Sequence, residues 1–517
     1  MKIFKHAKTV SIFTGLSRIL GLVREILMAS FFGTSLAKSA FDVAFRMPNL
    51  FRRLFGEGAL SAAFIPIFSE TIEKEGREAA RLLAGKVMTL LATLLTMITV
   101  GTIIVVTLTI NHADLGQKAA EVLPLLRIMF PYMIFICLVA LCMGIMNTTF
   151  HFALPAATPI ILNLVWISSL FLLCPKFGTT LSEQIYGVAW GILIAGIIQL
   201  AVQLPALVHI GMLPKLSFKW NDPHIKHILM LIAPVIIGTG IHQINVVIDG
   251  ILALWVSSWA PAALTYAERL VYLPLGIFTT ALSTVLLPTF SQQAARSETN
   301  NIKETIFKST RGLMLIMIPA TAGLMVFTKP IVQLVFERGM FDSTSTRVTA
   351  LALMFYAPGL IVFSLSKILT PAFYALKDTR TPVKIGIYTL ALNFILNITF
   401  ILTWPDGYKH AGLAFATVIA SAVNCTTLAV IISKRIGSPG WCSLGISFLK
   451  ITASAALMAL TVIFVHHFLE NHTVHFTTAA KTGQLLNVSS SIGAGIAVYA
   501  VAALTICRTE CRSLRRR

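Results

Sequence analysis

Apolar residues run along this chain in stretches of about twenty, separated by short polar segments, the pattern of helices long enough to cross a bilayer. The runs predict helices near 9–33, 39–68, 82–110, 123–147, 156–174, 184–209, 227–256 and 262–290. Six more follow near 306–328, 348–374, 382–403, 411–433, 445–468 and 485–507. The expected fold is an all-α polytopic membrane protein with 14 transmembrane helices.

The pattern repeats. The motif ALS-x4-P-x-F-S occurs at Ala59–Ser69 and again at Ala281–Ser291. Thr158-Pro159 at the start of the fifth run recurs as Thr381-Pro382, and Gly187–Ala195 of the sixth resembles Gly412–Ala420. Runs one to six therefore repeat as seven to twelve. An even number of spans per unit gives both copies one orientation, which predicts two parallel six-helix repeats forming N and C lobes around a central cavity. The expected divisions are 1–210 for the N-lobe, 211–435 for the C-lobe, and 436–517 for two appended helices with a basic tail.

The second run departs from the apolar pattern. Its sequence, SAFDVAFRMPNLFRRLFGEGALSAAFIPIFSE, carries Asp42, Arg46, Arg52, Arg53 and Glu57 in the middle. A charge near the centre of a spanning helix costs about 2.5 to 3.5 kcal/mol on insertion scales, so such residues face water or a partner. Spacing by four predicts that Asp42 meets Arg46 and that Arg53 meets Glu57, leaving Arg52 without a local partner. Pro48 before the arginines and Gly56 and Gly58 after them predict a kink or bend. The competing reading is a cytoplasmic helix end whose cations snorkel to headgroups. Too few apolar residues lie on either side for that half to span alone.

Composition supports the membrane class: 517 residues, 56% hydrophobic, 12% charged and a mean hydropathy of +0.82. The formal charge of +20 would suit nucleic acid, but the basic residues sit in short loops and tails rather than one soluble patch. Their bias toward alternate loops places both termini in the cytoplasm. Arg18 and Arg24 interrupt the first apolar run and no small-residue cleavage site follows, which argues against a signal peptide. The seven cysteines show no metal or CxxC spacing and read as packing residues. No catalytic motif is present, so the chain reads as a transporter and not an enzyme.

Embedded cations outnumber embedded acids. Arg18, Arg24, Arg46, Arg52, Arg53, Arg269 and Lys367 stand against Glu25, Asp42, Glu57, Asp249 and Glu268. Guanidinium groups in a low-dielectric cavity suit a phosphate or pyrophosphate, which each can grip with two hydrogen bonds. The alternative is a set of Arg–carboxylate bridges that holds the halves together. A second constellation, Asp249, Asn393, Asn397 and Thr417, offers a carboxylate, amides and a hydroxyl for a hard cation such as sodium. Interhelical hydrogen bonding explains those residues equally well.

Four stretches resemble the MurJ (MviN) lipid II flippase family of the MOP superfamily: Ser17–Glu25, Pro48–Glu70, Tyr266–Leu270 and Pro371–Lys384. The resemblance covers essentially the whole chain. It implies an inner-membrane protein that carries lipid II, the undecaprenyl-pyrophosphate-linked disaccharide-pentapeptide, to the periplasmic leaflet by alternating access. By that resemblance Arg24, Arg52 and Arg269 bind the pyrophosphate. Arg18, Glu25, Asp42, Arg46, Arg53, Glu57 and Glu268 support or gate the cavity. The family's sodium site matches Asp249, Asn393, Asn397 and Thr417, although an amide replaces the family's acid at Asn397. A family acid also aligns with Ser39, one turn before Asp42. The appended helices resemble a pair that forms a groove for the polyprenyl tail. Expected partners are lipid II, membrane lipids and peptidoglycan-synthesis membrane proteins, with no nucleic acid. Competing functions are a flippase for another polyprenyl-linked glycan and a non-transporting scaffold for wall synthesis.

Overall fold

A computed structural model describes residues 2–473, 480–508 and 510, with the side chains of 2–8, 56–62, 233–235, 237–239, 242, 281, 472, 473 and 480–482 outside the description. Every element in it is helical. The chain divides into two compact units, Met1–Ala262 and Ala263–Arg517.

The first unit holds α1 (Lys2–Phe32), α2 (Leu36–Phe51), a π-helical segment Arg52–Ala59, α3 (Leu60–Glu75), α4 (Arg77–His112) and α5 (Gln117–Met129). It continues with α6 (Tyr132–Thr148), α7 (Ala153–Leu172), the short α8 (Cys174–Phe177), α9 (Leu181–His209) and α10 (Pro223–Val256). Helix α11 (Ala260–Pro274) crosses the division. The second unit continues through a π-helical segment Leu275–Thr279, α12 (Thr280–Ala295), α13 (Thr299–Val326), α14 (Thr328–Phe336) and α15 (Ser343–Tyr356). It ends with α16 (Gly359–Ala375), α17 (Arg380–Thr403), α18 (Lys409–Ile436), α19 (Trp441–Thr473) and α20 (Ala480–Ile506).

Among the described residues nine helices are long and apolar enough to cross a membrane, or eleven if each of two bent pairs is one span. The bends are 43° between Ala260–Thr279 and Leu282–Ala295, and 44° between α15 and α16. The remaining expected spans, 9–33, 39–68 and 227–256, are helical as well. The first two carry most of the embedded charges and the third carries Asp249.

Local sequence explains where helices begin. Ser35 caps α2 through its hydroxyl, which accepts from the Lys38 N–H, and Thr180 with Glu183 forms a reciprocal capping box at α9. Both π-helical segments follow a helix proline, Pro48 in one case and Pro274 in the other. Proline removes the i to i−4 hydrogen bond, and the wider i to i+5 pattern accommodates the break. The kink expected at the arginines thus takes the form of a π-helix. The second segment falls where the sequence repeat places the counterpart of the first.

In the first unit α1 packs on α7, α7 on α9, and α2 on α5 and α10. Phe41, Phe64, Phe68, Tyr132 and Trp166 fill the core between them. Helix α10 belongs to this unit, and the compact division falls after Ala262. The linker before α10 lies against α4 at three points. Ser217 donates its N–H to Thr89 Oγ1 at 3.0 Å, Lys86 pairs with Asp222 at 2.6 Å, and a Cβ on Gly85 would stand 1.9 Å from the Lys215 carbonyl oxygen. Burial pushes Asp222 up, but hydrogen bonds from Lys86 and the His224 N–H outweigh it and hold the carboxyl below its usual range.

In the second unit α17 packs on α18, α16 on α12 and α18, and the appended α19 on α20 and α13. Glu510, 1% exposed, anchors that pair: it meets Arg311 of α13 at 3.0 Å and accepts from Ser447 of α19 at 3.0 Å.

Candidate functional site

Arg24 is the most committed of the expected cavity cations. It lies on α1 at 9% exposure, and its guanidinium pairs with Glu25 at 2.6 Å. A second nitrogen donates to Asn163 Oδ1 on α7 at 2.9 Å, and the group lies over the Trp166 ring, 4.2 Å from its centroid. Asn163 is held in turn by donating to the Ser17 carbonyl at 3.0 Å, and the Trp166 N–H points at the Met28 thioether sulfur, Sδ, at 3.2 Å. The result is a buried, oriented guanidinium in which carboxylate, amide and indole each satisfy one aspect. Arg18, about a turn and a half earlier, is exposed.

The ion pairs in the second span differ from those its spacing predicts. Asp42 pairs with Lys38 at 2.5 Å, not with Arg46, and Lys38 is itself buried at 1% exposure. Arg46 turns away and donates to the Val246 carbonyl of α10 at 2.5 Å. A Cβ at Gly250 would stand 2.6 Å from the Arg46 guanidinium, so a glycine there lets the arginine reach α10. Ser39, buried, accepts from the Ala262 N–H at 3.3 Å. Lys38 escapes a search for charges within apolar runs because it precedes the run by one position.

Arg52 has a local partner after all: its Nε donates to Asn49 Oδ1 at 2.8 Å. Arg53 donates to Gln243 Oε1 of α10 at 3.3 Å. Both arginines begin the π-helical segment. The pairing expected between Arg53 and Glu57 falls on a side chain, that of Glu57, outside the described residues.

The other candidates divide between the units. Asp249, on α10 of the first unit, accepts from Asn245 Nδ2 at 3.0 Å. Asn393, Asn397 and Thr417 come together in the second: Asn397 donates to Asn393 Oδ1 at 2.9 Å, and Asn393 donates to Thr417 Oγ1 at 3.4 Å. The amides are 2% and 0% exposed, and their oxygens and the Thr417 hydroxyl are of the ligand type a hard cation takes. Glu268 is half-buried on α11 with no ion-pair partner among the described residues, and Arg269 beside it is exposed. Lys367 is exposed on α16.

A family model described as lipid II flippase MurJ matches residues 28–482. The lipid II flippase MurJ of Burkholderia cenocepacia is 33% identical over 472 residues, covering 89% of each chain. A probable lipid II flippase MurJ of Rhizobium tropici is 33% identical over 100% of this chain and 96% of its own. Among solved structures, a lipid II flippase MurJ in an inward closed conformation superposes with a TM-score of 0.78 at 27% identity, over 97% of this chain and 99% of that one. An inward-facing multidrug resistance MATE family transporter of the MOP superfamily shares the fold, with a TM-score of 0.66 at 14% identity over 81% of this chain and 94% of its own.

Proposed function

The chain belongs to the MurJ family of lipid II flippases, and on that premise we propose how its arginines handle a lipid-linked pyrophosphate. It is a multi-pass inner-membrane transporter that moves lipid II from the cytoplasmic to the periplasmic leaflet for cell-wall synthesis. In the proposed mechanism Arg24, Arg52 and Arg269 bind the pyrophosphate, and Arg18 shapes its approach. Fourteen spans with both termini in the cytoplasm, and rocking of two six-helix repeats, complete the reading.

The observation that carries the role of Arg24 is its buried pair with Glu25 at 2.6 Å. Desolvation of the guanidinium is already offset in the resting protein, so an arriving phosphate replaces one anion by another instead of burying a new charge. Glu25, displaced, takes up a proton or a cation, which gives the ligand a different interaction with each state and so a means of shifting between them. Asn163 and Trp166 hold the guanidinium plane throughout. Asn393, Asn397 and Thr417, with Asp249, form the proposed sodium set. Wall-synthesis membrane proteins are proposed partners.

The test is lipid II translocation in proteoliposomes by wild type, Arg24→Gln and Arg52→Ala, with Arg347→Ala at an exposed position of α15 as control. Loss of transport in Arg24→Gln and Arg52→Ala alone, with normal insertion, is expected. Wild-type rates in both would remove the arginines from the substrate site.

A further inference from the structure

We propose that a groove at the basic end of α18 is a binding site for one anionic phospholipid of the leaflet it faces. The groove, about 570 Å3, is lined by Leu365 of α16, by Cys425, Ala429 and Val430 of α18, and by Trp441 at the start of α19, with Lys434 at its rim. It lies within the second unit, and nothing in the reading of the arginines depends on it.

Its dimensions and chemistry select the occupant. From Cys425 to Lys434 the helix rises about 13.5 Å, close to the ~15 Å depth of one leaflet's hydrocarbon. The floor is therefore long enough to seat an acyl chain while a headgroup stays at Lys434. Lys434 has no ion-pair or hydrogen-bond partner among the described residues. Its neighbour Arg435 is otherwise engaged, pairing with Asp378 at 2.6 Å and lying 5.6 Å from the Phe373 ring centroid. One available cation matches one phosphodiester, whereas a pyrophosphate calls for several donors. Trp441 Nε1 donates to Ser433 Oγ at 2.5 Å. That bond fixes the indole as a wall at the level where tryptophans meet headgroups. Anionic lipids at a cytoplasmic surface attract such juxtamembrane cations. The occupant is a bilayer phospholipid and not the polyprenyl tail of the substrate.

The experiment uses the full chain in detergent, with phosphatidylglycerol and phosphatidylcholine titrated separately and bound lipid counted by native mass spectrometry. Wild type is expected to hold one phosphatidylglycerol in preference to phosphatidylcholine. Lys434→Gln should weaken phosphatidylglycerol about tenfold, the loss of one charge-assisted contact, and leave phosphatidylcholine unchanged. Ala429→Trp, which fills the floor, should lose both. If Ala429→Trp does not fold, the exposed change Lys434→Gln decides alone. Equal phosphatidylglycerol affinity in wild type and Lys434→Gln overturns the proposal. So does displacement of the bound lipid by undecaprenyl phosphate at lower concentration than by phosphatidylglycerol, which would assign the groove to the substrate's tail.

Discussion

Replacing Glu25 by Gln leaves the Arg24 guanidinium buried opposite a neutral amide. The two side chains are 11% and 5% exposed and 2.6 Å apart, and breaking such a pair from one side costs about 3 to 5 kcal/mol. Arg24 keeps its bond to Asn163 and its place over Trp166, which puts Glu25→Gln near the lower end, about 3 kcal/mol. Arg24→Gln leaves a carboxylate with the same problem and a similar cost. The double variant replaces two charges by two amides that can bond each other, so its expected cost is about 3 kcal/mol and not 6, a coupling of about 3 kcal/mol. Reversible denaturant unfolding of the full chain in micelles measures the coupling, and lipid II translocation in vesicles is measured on the same samples. The expected result is a double variant about as stable as either single one while transport stays lost. Additive single effects would falsify the buried-pair account. A double variant that transports at the wild-type rate would show that Arg24 serves packing alone.

The linker between the repeats offers a second test. Gly85→Ala should lift it from α4, because a Cβ would meet the Lys215 carbonyl oxygen at 1.9 Å. A cost of about 1 to 3 kcal/mol should appear with faster trypsin cleavage at Lys215 and Lys219, and unchanged cleavage would refute the contact. Asp222 is held below the usual carboxylate range, so its stabilising effect is full above the usual value and is lost as pH falls through the lowered one. Hydrogen exchange over 212–226 should accelerate under acid below about pH 4, and Asp222→Asn should remove that dependence. Asn397→Asp places a carboxylate at a fully buried position beside the Asn393 amide oxygen; its melting temperature should rise in sodium relative to choline, and equal values in both salts would count against the proposed sodium set.

The bilayer makes much of this fold legible from sequence. Apolar runs of about twenty residues leave few alternatives to helices, and the recurring ALS-x4-P-x-F-S motif is enough to expose the duplication. Which cations lie inside was legible only in part: Arg24 interrupts a run and is buried, but Arg18, Arg269 and Lys367 interrupt runs and are exposed, and the buried Lys38 lies just before one. Their partners were not legible. Asn163 lies 139 positions from Arg24, and Val246 lies 200 from Arg46, so no local spacing could join them. Lys38 took Asp42 from Arg46 because both neighbours satisfy the i, i+4 rule and only tertiary packing, which sends Arg46 to α10, decides between them. The assignment of α10 to the first unit likewise depends on contacts that a repeat in sequence does not encode.

The two π-helical segments, Arg52–Ala59 and Leu275–Thr279, bear on the winding of the chain. A π-turn amounts to one extra residue inserted into an α-helix, and here both copies carry it at the matching position despite sharing little sequence across it. Each such insertion sets the phase of the helix that follows it, α3 in one case and α12 in the other. Deleting one residue within 53–57 would return the helix to regular winding and rotate everything from Leu60 onward by about 100°, turning the face that now packs on α4 and α6 away from them.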